Sequence, residues 1–369
     1  MRRMLVILLT VLPIALLHSS VSPPIHSAEL NFDPLPAKST LVPQNLLKLI
    51  HAPEVQQELD LQGDALNKLV EELIAIDKVW WPARILPEEQ QRKTVADQEK
   101  RLLEFLKGNL SKEKILRLKQ IELQSQGTRM FARPDIAKTI NLSKTQVSQL
   151  EKQFDKTDRL VASNKVAQDQ AKLSDIQSAK DAELKMVADV LTDKQKSEFG
   201  KLMGSAFDTI KLTRIHPIAP ELIDSMKWAG ASPVTLAENR GKVVLLHFYA
   251  FQCHNCVANF GHYKRWHKTL ADQGVQVIGI QTPETPTERD VSAVQKAAKD
   301  SGFEFPVLID VKNENWDAWG NTMWPTVYVI DKQGYIRFWW QGELNWQGAT
   351  VDKTIEQLVD KLVQEVHNQ

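Results

Sequence analysis

Lys242-Val243-Val244-Leu245-Leu246-His247-Phe248-Tyr249-Ala250-Phe251-Gln252-Cys253-His254-Asn255-Cys256 is the stretch on which the fold turns. Its first nine residues are too apolar to be solvated on either face, which predicts a fully buried strand. After Cys256 the apolar residues change spacing, with Val257, Phe260, Tyr263, Lys264 and His267 following a helical period. The two cysteines therefore stand where a strand gives way to a helix. Further short apolar runs at Val275–Ile280, Val307–Asp310, Thr326–Asp331 and Ile336–Trp340 predict an α/β domain around that strand.

Cys253 and Cys256 are the chain's only cysteines, two residues apart. A C-x-x-C at a strand-to-helix junction is suited to thiol chemistry. The first sulfur sits where unpaired backbone N–H groups and the helix dipole favour a thiolate. The second lies one turn on, within reach of a mixed disulfide formed by the first. Competing uses fail on spacing. Zinc needs two more ligands, and His262 and His267 follow too closely on the same helix. A c-type haem needs His directly after the second cysteine, where Val257 stands. A structural bridge across two residues constrains little chain entropy.

Outward from this domain, composition sets limits. The chain has 369 residues, 46 basic and 46 acidic, with 43% hydrophobic and 25% charged side chains. That length suggests two or three domains. Zero net charge excludes a strongly basic nucleic-acid footprint and long-range attraction to anionic membranes. Two cysteines exclude a disulfide framework and a four-thiolate zinc site.

The N-terminus, Met1-Arg2-Arg3 followed by an apolar run from Leu5 to Leu17, has the pattern of a secretory signal. Such a run is too short to span a bilayer core of about 30 Å. Ala28 is the best cleavage position, but His26 stands two residues before it, so an uncleaved anchor is a second reading. The expected organisation is a signal peptide at 1–28, a Pro-rich linker at 29–43, an all-α domain at 44–213 and an α/β domain at 214–369. The boundary is set by His216-Pro217-Ile218-Ala219-Pro220, where two prolines stop the preceding helix. The reading is an exported, periplasmic or extracytoplasmic protein, soluble or signal-anchored.

The helical part reads as a duplication with an offset of 81 residues. Pro53–Leu61 aligns on Pro134–Leu142 without gaps, and Leu66, Leu69 and Leu73 fall on Val147, Leu150 and Phe154. Four leading leucines, Leu61, Leu110, Leu142 and Leu191, mark helix starts. Ser111, Ser143 and Thr192 follow three of them as caps, and Gln146 and Gln195 complete capping boxes. Two packed helical hairpins are expected; long projecting helices are the alternative, since Asp135–Phe199 holds no Gly or Pro. Leu142-Ser143-Lys144-Thr145-Gln146 and Leu191-Thr192-Asp193-Lys194-Gln195 resemble the L-T-x-x-Q repeats of Spy- and CpxP-like periplasmic proteins, whose helices cradle unfolded clients or sensor domains. A helical spacer or dimerisation module is the plainer reading, because capping alone would give the motif. Trp80-Trp81-Pro82, between two helices, is either an exposed docking site or packed on a neighbouring domain.

Residues about 219–347 resemble the thioredoxin-like domain of the TlpA/ResA group of extracytoplasmic thiol–disulfide proteins, above all the domain attached to DipZ-type and some NHL-repeat proteins. The resemblance is carried by Ala219-Pro220-Glu221-Leu222, Trp228, Leu236–Val244, the C-x-N-C motif, Thr282-Pro283-Glu284, Trp316–Asn321, Trp324-Pro325-Thr326 and Gly342-Glu343. Gln252, where the wider family usually has Trp, and His247, where it commonly has Asp or Asn, are departures. The resemblance implies Cys253 as attacking thiol, Cys256 as resolving thiol and Pro325 as the cis-proline beside the disulfide, with Trp324, Thr326 and Gln252 toward substrate. It places Glu284 at the position of an acidic active-site residue. His254 would favour the Cys253 thiolate by charge or hydrogen bond, or simply be solvated. His247 would point to Cys256 and shuttle its proton, or be a satisfied core histidine. Trp316 and Trp319 would shape the rim or fill the core. The redox-active Cys253–Cys256 disulfide is then the only prosthetic element, with no metal. Protein thiols and disulfides are the expected partners, together with a separate membrane electron donor if the role is reducing. The alternative class is a client-binding or scaffold protein with an accessory redox switch.

Overall fold

The computed structural model describes residues 41–167, 171–212 and 216–365. The expected signal segment and most of the Pro-rich linker lie outside them. The described residues fold as two compact units: a helical one of residues 41–69, 88–167 and 171–212, and a sheet unit of residues 70–87 and 216–365. Residues 70–87, counted with the helices on sequence grounds, thus belong with the sheet. The reason is burial: Trp81 is packed among Leu222, Leu236, Leu246 and Trp319. All ten tryptophans consequently fall in the sheet unit.

The sheet has six strands: β1 (Trp228–Gly230), β2 (Val243–Tyr249), β3 (Val275–Gln281), β4 (Pro306–Ile309), β5 (Thr326–Ile330) and β6 (Ile336–Gln341). Their order is β1-β4-β3-β2-β5-β6. β2, β3 and β4 run parallel, and β5 and β6 pair antiparallel beside them. Every residue of β2 is buried, as its unbroken apolar run predicts. Alternation sorts its side chains. Val243, Leu245 and Tyr249 meet Phe260, Tyr263 and Trp266 of the helix His254–Leu270 and Ile355 and Val359 of the helix Val351–Gln364. Val244, Leu246 and Phe248 meet Trp316, Trp319 and Tyr328 on the other face. This is the thioredoxin-like α/β architecture expected of the C-terminal part, and the N-terminal part is helical as expected.

In the helical unit, the helices Pro53–Glu58 and Pro134–Thr139 end alike. Asp60 and Asn141, 81 residues apart, both have positive φ, and the next N–H reaches back five residues: Leu61 to the Gln56 carbonyl and Leu142 to that of Ala137. The leading leucines thus close Schellman-type turns. Ser111 and Thr192 cap the helices Lys112–Gln126 and Asp193–Met203. Ser143 and Gln146 make the reciprocal box at the start of Lys144–Ala167. Gln146 and Gln195 go further, each amide donating to the other's oxygen at 2.8 and 3.1 Å. The core here is mixed. Leu123, Phe131, Ile136, Leu150 and Phe154 form its apolar part. Beside it Arg133 pairs with Glu122 and Asp135 at 3.0 Å, and Lys119 with Asp135 at 2.9 Å.

Candidate active site

The site begins where β2 runs out. Tyr249 ends the strand, a turn crosses Ala250 to Gln252, and Cys253 is the N-cap of the 17-residue helix His254–Leu270. Its carbonyl accepts the N–H groups of Cys256 and Val257 at 3.1 Å, which start the helix. The two cysteines are free thiols and differ sharply in environment: Cys253 is half-buried and Cys256 fully buried. Burial pushes the Cys256 thiol far above the ordinary cysteine range, and its hydrogen bond to Cys253 and the Glu284 charge push the same way. Tyr249 and Tyr263 are buried in the same apolar cluster as Cys256. Such a thiol stays protonated until its partner reacts.

The loop before β5 supplies the opposite wall. The Trp324–Pro325 peptide is cis. The Trp324 ring stacks on Trp316 at 4.0 Å and its Nε1 donates to the Thr282 carbonyl at 3.2 Å. Trp324 and Cys253 both rest against the apolar cluster that holds Cys256. Thr326 is buried, its hydroxyl donating to the Met323 carbonyl within the loop. Trp316 and Trp319 are core residues, Trp319 fully so. Asn259, one turn past Cys256, accepts from the Leu344 N–H and donates to the Gly342 carbonyl, while the Gly342 N–H donates to the Pro325 carbonyl at 2.8 Å. The helix that carries the cysteines and the proline loop are thereby linked through one asparagine.

His254 and Gln252 are exposed beside Cys253. His247 faces the same side of the sheet as Cys256, but its ring stacks on Tyr263 at 3.7 Å and lies near Tyr249 and Phe305. Gly279, its register partner on β3, leaves the room; a Cβ there would sit 3.2 Å from His247 Nε2. Neither ring nitrogen makes a hydrogen bond of normal geometry. Burial drops the His247 pKa to about 3, with the Ile278 backbone opposing weakly, so the ring is neutral. Among the groups acting on the Cys256 thiol are Cys253 and Glu284; His247 sits among aromatic rings instead.

One residue that sequence reasoning passed over is Glu288. Glu284 is exposed, whereas Glu288, four residues on, is fully buried. Its carboxylate accepts the Gln252 N–H at 2.8 Å through one oxygen, and those of Glu284 and Thr285 at 2.8 and 2.9 Å through the other. The Gln252 side chain is held in turn by the Thr285 and Thr287 hydroxyls. Glu288 therefore ties the turn that presents Cys253 to the neighbouring loop. Its signal was readable, since Thr285 and Glu288 make a capping box.

Residues 219–339 match the AhpC/TSA family. Over 122 residues, 32% of this chain, the sequence is 36% identical to protein DipZ of Mycobacterium tuberculosis, but spans only 18% of it. It is 27% identical over 124 residues to the thiol-disulfide oxidoreductase YkuV of Bacillus subtilis, covering 33% of this chain and 82% of that one. Against the thiol-disulfide oxidoreductase ResA of the same organism it is 27% identical over 103 residues, covering 28% and 55%. The family match thus falls within the sheet unit.

Proposed function

We propose that this chain is an extracytoplasmic thiol–disulfide oxidoreductase acting on proteins through Cys253 and Cys256. The observation that carries the reading is the asymmetry of the pair: an accessible sulfur at a helix N-cap, backed by a buried one kept protonated, beside a cis-proline loop. In the reducing direction the Cys253 thiolate attacks a substrate disulfide. A Cys253–substrate disulfide forms and one substrate thiolate leaves. Cys256 then gives up its proton and attacks Cys253 Sγ, releasing the second substrate thiolate and leaving the Cys253–Cys256 disulfide. Two electrons pass to the substrate, and the oxidising direction is the reverse. The relatives named as thiol-disulfide oxidoreductases support this chemistry, and the signal-like N-terminus supports an exported location. A reducing cycle needs an electron donor to restore the dithiol, and we take that donor to be a separate membrane protein. Among the described residues no helix is long and apolar enough to cross a bilayer.

The helical unit we read as a duplicated scaffold, on the strength of the matching turns at Asp60 and Asn141. Trapping tests the chemistry: Cys256→Ala in the native compartment should accumulate mixed disulfides through Cys253. An empty trap, with Cys253 inert to iodoacetamide at neutral pH in the reduced protein, would sink the assignment.

A further inference from the structure

The Trp80–Arg84 segment takes no part in exchange chemistry, yet the structure gives it a specific seat. We propose that it is a strut for the cis-proline loop: Arg84 and Pro82 fix the loop that presents Trp324 and Pro325, and so set the affinity for protein substrates without touching them.

Arg84 Nη2 donates to the Gly320 carbonyl and to the Tyr328 hydroxyl, both at 3.0 Å. Gly320 opens the loop, and Tyr328 lies three residues beyond Pro325 in β5. The Tyr328 hydroxyl in turn donates to Asn321 Oδ1 at 2.6 Å. One guanidinium therefore closes both ends of the segment 320–328. It is itself fixed by the Trp81 carbonyl at 2.9 Å and by the Trp81 ring, 3.8 Å beneath its carbon. A planar fork serves such divergent acceptors together; an ammonium does not.

The fit is two-sided. Gly320 has φ +58°, and a Cβ on it would come 2.8 Å from Pro82 Cα and 3.0 Å from Arg84 Nη1. Glycine is needed there both for its backbone angle and for the approach of the strut. Trp81 locks the segment from the other side, edge-on to Trp339 at 5.0 Å and to Tyr328 at 6.2 Å. Asp77 accepts the Ile218 N–H at 2.7 Å and anchors the preceding helix to the start of the sheet unit. At its far end the loop is held by Trp324, through the stack on Trp316 and the bond to Thr282, and by the Gly342 N–H on the Pro325 carbonyl. Releasing the Gly320 end leaves Trp324 and Pro325 on these remaining supports alone, while the helix that carries the cysteines stays packed in the core.

The proposal rests on the oxidoreductase reading, and the test separates the two. Full-length protein with Arg84→Lys is assayed for reduction of insulin disulfides with dithiothreitol as donor, and for Cys253 alkylation by iodoacetamide, which needs no docking loop. The expected result is a KM for insulin raised about tenfold, with kcat and the alkylation rate within about twofold of wild type. Tyr328→Phe, which removes one acceptor and leaves the core filled, should move KM the same way by a smaller factor. An unchanged KM in both variants overturns the strut. So does a parallel fall of kcat and alkylation, which marks general damage. Wild-type protein that alkylates at Cys253 but leaves insulin intact overturns the oxidoreductase reading itself.

Discussion

One buried titratable group in each unit, Glu99 and His247, sits in contrasting surroundings. In the helical unit charges are buried beside charges: Glu99, Lys119, Glu122 and Arg133 are all nearly inaccessible. Glu99, desolvated and close to the Glu122 charge, is pushed up to about 8, accepting the Leu46 N–H meanwhile. In the sheet unit His247 is held neutral among aromatic rings instead. The lesson concerns pH. A carboxyl whose folded pKa is raised gives stability that is full below its ordinary value near 4.5 and is lost as pH rises toward 8. A histidine whose folded pKa is depressed gives stability that is full above 6.5 and is lost as pH falls toward 3. Glu99 thus works against the helical unit as pH rises, and His247 against the sheet unit as pH falls. Tryptophan emission reports the sheet unit alone, since the helical unit contains none.

The strongest way to break this comparison is Arg133→Met. Leaving Glu122 and Asp135 with Lys119 as their one remaining buried cation should cost about 3–5 kcal/mol. Helicity by circular dichroism should then unfold at lower urea than tryptophan emission; coincident transitions would show that the units do not differ as described. Next is Glu99→Gln, which keeps an acceptor for Leu46 and removes the charge. It should stabilise the helical transition by roughly 2–4 kcal/mol at pH 9 and by nothing below pH 4. A gain independent of pH would assign the effect to packing. His247→Phe should flatten the acid limb of the emission-detected stability, a gain of about 2 kcal/mol at pH 5 relative to pH 8. An acid limb as steep as in wild type would mean that other groups cause it. The smallest effect is expected for Glu288→Gln, about 1–2 kcal/mol, because an amide can replace only part of an acceptor for three N–H groups. Hydrogen exchange at the Gln252, Glu284 and Thr285 amides should accelerate together, and unchanged protection would remove Glu288 from its tying role.

What could be read in advance was what is local. The apolar run of β2, the spacing of the cysteines and the capping residues Ser111, Ser143 and Thr192 each act within a few positions, and pattern reveals them. His247 shows where this stops. Period-2 alternation gives its face, but Gly279, its partner across the register, decides that the ring lies on Tyr263. Glu288 was obscured by the more conspicuous Glu284, although the cap rule that found Gln146 applies equally to it. Arg84 had no local signal: its acceptors lie 236 and 244 residues away. The tryptophan pair drew attention to the segment, but its seat depends on a glycine in another part of the chain.

Gly320 against Pro82 also bears on where this protein can be cut. The backbone passes from one unit to the other after Leu69, after Pro87 and again before His216, so neither unit is a continuous stretch. Cleavage between Leu212 and His216 would sever the covalent chain without freeing the sheet. The N-terminal fragment would still hold Trp81 and Arg84 inside it, and the two pieces should migrate together until denaturant is added. Conversely, a fragment beginning at His216 would leave Trp319, Tyr328 and Trp339 without the side chains that cover them, an apolar face prone to self-association. The familiar half of this molecule cannot be taken out whole by a single incision.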